Sequence, residues 1–182
     1  MSTIRDLQGT YVLDASHSSL AFIARHAMVT KVRGSFSAFT GEATINGAEP
    51  AASSLKVVAD VASVNTNDAG RDGHLKSADF FDVETYPTIT FVGTGFDIVD
   101  DSTVEVTGDL TIKDVTRSVT IPFEFTGEAK DPFGNTRIGF EGRVDVSRSD
   151  FGLTWNAVLE TGGLLVSDKI ALEFDVSAIK QA

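Results

Sequence analysis

The 182-residue chain contains three histidines, His17, His26 and His74, and no cysteine. Without thiols there is no disulfide, thiolate nucleophile, Fe–S cluster or Cys-ligated zinc. The histidines keep no metal-ligand register. Asp72 near His74 adds only a common Asp-x-His pair, so no metal site is expected. Acyl transfer has no better footing: His17 and Ser18 are plain neighbours, and Gly-x-Ser-x-Gly does not occur. Gly162-Gly163 lacks both the repeated glycines and the lysine of a phosphate loop. The densest polar group is Arg71-Asp72-Gly73-His74. One reading is structural, with Arg71 and Asp72 pinning neighbouring backbone. The other makes Arg71, with His26 or His74, a donor set for a polar headgroup, because an arginine fork suits planar or phosphate oxygens. Acting instead as acid–base groups, His26, His74 and Asp72 would make a small enzyme. Lys113, Arg143 and Arg148 read as solvated charges at strand ends.

Charge removes further classes. Fifteen Lys and Arg face 26 Asp and Glu, a net charge of −11. Phosphate neutralisation needs a basic surplus, so no nucleic-acid partner is expected. The same repulsion argues against docking on an anionic membrane face. The first residues form no secretory signal, and no window approaches the length of a bilayer span, so stable membrane insertion is not expected. Taken as complete, the chain reads as cytoplasmic.

The elements that must position these residues alternate with period two. Val104, Val106, Gly108, Leu110 and Ile112 share one face, while Glu105, Thr107, Asp109 and Thr111 share the other. The same alternation runs through Val119–Phe125, Ile138–Val146 and Ile170–Val176, and with less contrast through the first half. A connection at 113–117 reads as a hairpin. Nine or ten strands result, about eight of them long. Strands that are apolar on one face only must close into a barrel or pair into a sandwich, and their length favours the barrel. Inward Gly34, Gly41, Gly93, Gly108 and Gly142 fit strong bending. The stretch 65–87 breaks the rhythm. Asn67 or Thr66 would cap a short helix and Ser77 a second, with Leu75, Phe80 and Phe81 turned back to the sheet. With 13 Phe against two Tyr and one Trp, the interior is apolar with few hydrogen-bonding groups. An eight-stranded barrel of this kind is either filled by side chains or holds one small ligand. Residues 1–182 form a single domain.

The ordered pieces Leu13-Asp14-Ala15-Ser16-His17-Ser18, Val32-Arg33-Gly34-Ser35-Phe36, Arg71-Asp72-Gly73-His74-Leu75, Asp79-Phe80-Phe81-Asp82, Tyr86-Pro87-Thr88-Ile89-Thr90-Phe91, Gly108 through Thr116 and Arg148-Ser149-Asp150-Phe151-Gly152-Leu153 resemble the YceI-like family of polyisoprenoid-binding proteins. The resemblance runs from Gly9 to Ile179. It implies an all-β fold: an extended eight-stranded antiparallel lipocalin-like barrel with a short helical insertion near one mouth. It also implies a tunnel holding a long-chain isoprenoid or similar amphiphile, a polyprenyl phosphate or an isoprenoid quinone, with no cofactor and no catalysis. Leu20, Phe22, Phe36, Val57, Phe91, Leu110, Phe123, Phe140 and Phe174 would line that tunnel, and His26, Arg71 and His74 are the headgroup candidates. Family members are often exported, so the missing signal implies a cytoplasmic paralogue. A homodimer stays open, as do the lipid-active enzyme and the filled barrel.

Overall fold

The computed structural model describes residues 1–182. Its strands are β1 (Gln8–Leu13), β2 (Ser19–His26), β3 (Thr30–Phe36), β4 (Phe39–Asn46), β5 (Ser54–Asp60), β6 (Val64–Asn65), β7 (Thr88–Ile98), β8 (Thr103–Ile112), β9 (Val115–Lys130), β10 (Thr136–Ser147) and β11 (Lys169–Lys180). The one α-helix is α1 (Ala69–Lys76). Three long runs are each interrupted once: β1/β2 by a 3-10 turn at Ala15–His17, β3/β4 by a bend at Ser37-Ala38, and β5/β6 by a turn at Val61–Ser63. Counted as continuous runs, eight antiparallel strands close into a barrel in which each pairs with its neighbour in the chain. Eleven segments therefore replace the nine or ten that alternation suggests.

β11 closes the ring. One of its edges pairs with β10 over its full length, and the other is shared between β2, at Ala171–Asp175, and β1, at Ala178–Lys180. Closure leaves few unpaired backbone groups, which removes the edge that an open sheet would present. Along β8, buried Val104, Val106, Leu110 and Ile112 alternate with Glu105, Thr107, Asp109 and Thr111. Polar residues thus face out and apolar residues in, the reverse of a lipid-facing barrel wall. No helix is long and apolar enough to cross a membrane.

Two packed clusters sit at opposite ends of the barrel. Ile4, Leu7, Tyr11, Val104, Val106, Phe125, Ile138 and Ala178 fill the end holding both termini. There the 3-10 turn Ile4–Asp6 acts as a plug: the Ile4 amide donates to the Asp101 carbonyl and the Gly47 amide to that of Leu7. Phe80, Leu110, Ile112, Phe151 and Leu153 fill the end beneath α1, with Leu75 and Phe81 packed against them.

The local chemistry corrects two expectations. α1 is capped by Asp68, whose carboxylate accepts from the Arg71 amide, and Ser77 ends the same helix rather than opening another. Asn67 is unsuited to the cap because its φ of 61° is left-handed, and the Thr66 hydroxyl is already bound to Asp72 and Arg71. The β8–β9 connection is tighter than 113–117: Ile112 pairs with Val115 around a Lys113-Asp114 turn, with Lys113 at φ 57°.

Outside the wall, Arg137 fastens the β1/β2 interruption to the β9–β10 turn. Its Nη1 donates to Asp14 Oδ2 at 2.7 Å and its Nε to Asp131 Oδ2 at 2.8 Å. The Arg137 guanidinium is the main reason both carboxyls sit well below the usual carboxylate range. A depressed carboxyl stabilises the fold fully above its unfolded pKa, about 3.9, and loses that contribution as pH falls through its folded value. Arg137→Met should therefore lower stability in urea near pH 7 and by much less at about pH 2, where the wild-type protein has lost much of what the pairing contributes. Urea titrations at the two pH values check this, and an equal gap at both would contradict it.

An apolar lumen as candidate functional site

Between the two end clusters lies a cavity of about 340 Å³, within the usual range for ligand pockets. Of the 45 residues around it, 37 are hydrophobic. It is therefore a medium for hydrocarbon, with few polar groups to orient anything else. Leu20, Phe22, Phe36, Val57, Phe91, Leu110, Phe123, Phe140 and Phe174 all line it. The lumen is thus hollow rather than filled by side chains.

Phenylalanine rings would ordinarily block so narrow a barrel. Here several lie flat along the wall, over glycines on the neighbouring strand. Phe22 and Gly34 are register partners on β2 and β3, and a Cβ at Gly34 would collide with the Phe22 ring. Phe123 covers Gly142 on the adjacent strand in the same way, with a Cβ there only 2.6 Å from Phe123 Cδ1. Phe91 lies across Gly108. Such covering restores packing to a strand position without a side chain. Tilted ring contacts such as Phe22–Phe36 at 5.7 Å and Phe123–Phe174 at 5.9 Å between centroids extend the aromatic lining.

Besides Glu42, Asn46, Ser53 and Ser54, the lining includes Tyr11 and Arg148, and none of these six was among the expected site residues. Tyr11 is 1% exposed, and its hydroxyl is buried without a hydrogen-bond partner. Burial pushes its pKa up, so the group is a neutral donor. Arg148 is 7% exposed rather than a solvated strand-end charge. It has no carboxylate within ion-pair distance. Its Nε donates to the Ser167 carbonyl at 2.8 Å and its Nη1 to those of Leu153 and Trp155 at 2.6 and 2.9 Å. Burial pushes its pKa down. The guanidinium thereby ties the irregular 152–168 stretch across the barrel end. Alternation carries no signal for either group, because Tyr11 reads as an ordinary core aromatic and Arg148 falls at a strand terminus.

The headgroup candidates lie elsewhere. None of His26, Arg71 and His74 belongs to the lumen lining. Arg71 is exposed and spends its fork on Thr66, donating Nε to Oγ1 at 2.8 Å and Nη2 to the carbonyl at 2.7 Å. Asp72 accepts from the Thr66 amide and hydroxyl, so this pair pins the start of α1. His74 Nε2 meets Asp79 Oδ2 at 2.8 Å, and its ring stands edge-on to Trp155 and Phe80, joining α1 to the 152–168 stretch. His26 is exposed at the end of β2, bridged to Val166. The acid–base set of His26, His74 and Asp72 is thus not assembled. His17 forms no hydrolytic relay either, since Ser16 Oγ and Asp14 Oδ2 both meet the same Nδ1 atom.

The sequence also matches the family model described as YceI-like domain over residues 11–178. A UPF0312 protein of Azotobacter vinelandii is 40% identical over 145 residues, covering 79% of this chain and 76% of the relative. The crystal structure of Burkholderia cenocepacia BcnA superposes with a TM-score of 0.79 at 25% identity, covering 91% of this chain and 98% of the other. A domain from Saccharophagus degradans, described as polyisoprenoid binding and implicated in plant cell wall breakdown, shares the fold with a TM-score of 0.73 at 18% identity, covering 94% and 98%. With its barrel, its motifs and its family model in agreement over nearly the whole length, the chain belongs to the YceI-like family.

Proposed function

We propose that this chain is a non-enzymatic binding protein that carries or stores a long isoprenoid lipid in its lumen. The observation behind this reading is the barrel lumen of about 340 Å³ walled almost entirely by hydrocarbon. Burying one CH₂ is worth about 0.8 kcal/mol, so a five-carbon prenyl unit offers roughly 3 to 4 kcal/mol gross. Three or four units could then reach about micromolar affinity after association and ordering costs. The name of the Saccharophagus domain, with the same fold, agrees with this ligand class.

The polar groups favour an uncharged head, such as a quinone or an alcohol, over a diphosphate. A diphosphate needs several free cations, whereas Arg148 is the only cation in the lining and gives most of its N–H groups to carbonyls. The Tyr11 hydroxyl is a neutral donor lacking an acceptor, a condition worth about 1 to 3 kcal/mol to relieve. A ligand oxygen would satisfy it once the side chains that now bury it shift.

Titration with prenyl alcohols of increasing length should give affinity that rises by about tenfold or more per unit until the lumen is full, then levels off. A series independent of length would contradict the reading. Tyr11→Phe should weaken a prenyl alcohol several-fold while leaving the matching hydrocarbon unaffected; equal losses for both would exclude the uncharged-head contact.

The wall geometry gives a second test. Gly34→Ala should push the Phe22 ring into the lumen, destabilise the protein by about 1 to 3 kcal/mol and shorten the longest chain accepted. Adding Phe22→Leu should restore that length. Chain-length profiles of the three proteins would reject the wall account if Gly34→Ala left the cutoff unchanged.

A further inference from the structure

Beside the α1 end of the lumen, two turns meet and expose apolar side chains. The β2–β3 hairpin carries Met28 and Val29, 69% and 75% exposed. The 152–168 stretch carries Val158 and Leu164, 80% and 46% exposed, paired with each other across its own turn. The turns are tied together: the Ala27 amide donates to the Leu165 carbonyl at 2.7 Å and the Ser167 amide to that of Arg25 at 3.0 Å. Gly163 adjoins the Met28 sulfur. The 152–168 stretch also reaches the lumen, where Leu153 and Val166 are lining residues. The patch is therefore continuous with the end cover of the cavity.

The hairpin departs from what stability alone would select. Its two central residues, Ala27 and Met28, hold φ of 51° and 62°, a conformation that favours Gly or Asn. Arg25 and Lys31 are direct cross-strand partners, a like-charge placement that is locally unfavourable. Neither has a carboxylate within ion-pair distance. In a chain of net charge −11, residues 15–41 contain no Asp or Glu and carry Arg25, Lys31 and Arg33. Arg33 is paired with Glu173, and the 152–168 stretch adds two carboxylates, Glu160 and Asp168, the second accepting from the Ser147 hydroxyl and the Ser149 amide. The hairpin is thus a local reversal of the overall charge.

We infer that this tip docks on the surface of an anionic lipid bilayer, placing the α1 end of the barrel where an amphiphile enters or leaves. Met28, Val29, Val158 and Leu164 would enter the headgroup layer, while Arg25 and Lys31 meet anionic headgroups. This role in loading rests on the lipid-binding reading above, whereas the docking itself can be measured without any prenyl ligand. The contact is peripheral, and it overrides the expectation from net charge because screening leaves only charges within about 10 Å to act.

The test uses the full chain and vesicles of phosphatidylglycerol with phosphatidylcholine, free of isoprenoid. Co-sedimentation is followed together with fluorescence of Trp155, the single tryptophan, which lies in the docking stretch. Wild-type protein should bind the mixed vesicles and bind pure phosphatidylcholine more weakly. Val29→Ser with Leu164→Ser should weaken partitioning about tenfold or more. Arg25→Gln with Lys31→Gln should reduce the preference for anionic vesicles by roughly fivefold per cation. Both variants should keep the wild-type affinity for a prenyl alcohol in solution, which verifies their fold. Wild-type protein that binds the alcohol but ignores vesicles would overturn docking alone. Vesicle binding without alcohol binding would support docking and overturn the lipid-binding reading. Self-association that these substitutions abolish, with no vesicle binding, would assign the tip to a second copy and overturn the inference.

Discussion

The barrel depends on how phenylalanine is accommodated at its wall. A closed eight-stranded sheet has little interior to spare, and this chain directs many of its 13 Phe inward. Rings projecting to the axis would give a solid core. Glycine at the facing position removes the Cβ that would force each ring inward, so Phe22 settles over Gly34, Phe91 over Gly108 and Phe123 over Gly142. The rings contribute buried area along the wall, and the axis stays open. Both the apolar character of the lumen and its width follow from that pairing.

The ends are treated differently from the middle. At the termini, the Ile4–Asp6 turn and Leu7 complete a packed cluster. At the other end, closure depends on α1, held by Asp68, Arg71, Asp72 and Thr66, and on the 152–168 stretch, held by Arg148. His74 joins the two through Trp155 and Asp79. The residues whose types first suggested chemistry therefore maintain the cover over a hydrocarbon space. Arginine donating to backbone carbonyls is well suited to this, since irregular chain near a cavity leaves carbonyls that must find donors.

Much of this was legible in the sequence. Alternation along β8, β9, β10 and β11 identifies the inward face, because a strand has a strict two-residue period and burial on one side only. The same logic placed all nine lining residues on the inward face, and they do border the lumen. It could not locate the headgroup end, since side chains in irregular segments follow no period. Arg71 resembled a ligand by residue type but is used up by Thr66, five residues away. Arg148 resembled a strand-end charge because its partners are main-chain carbonyls, which are invisible in a string of residue types. Net charge also says little about local surface, since an average of −11 conceals an acid-free stretch from residue 15 to 41.

The account joins one construction, rings laid on glycines, to one consequence, a hollow suited to a hydrocarbon tail. Native mass spectrometry of the protein, purified without detergent from its own cells, addresses that consequence most directly. The account predicts a population heavier than the bare chain by the mass of one lipid, which on collisional release yields a polyisoprenoid ion. Bare chain throughout, in preparations that also fail to take up added prenyl lipid, would contradict it.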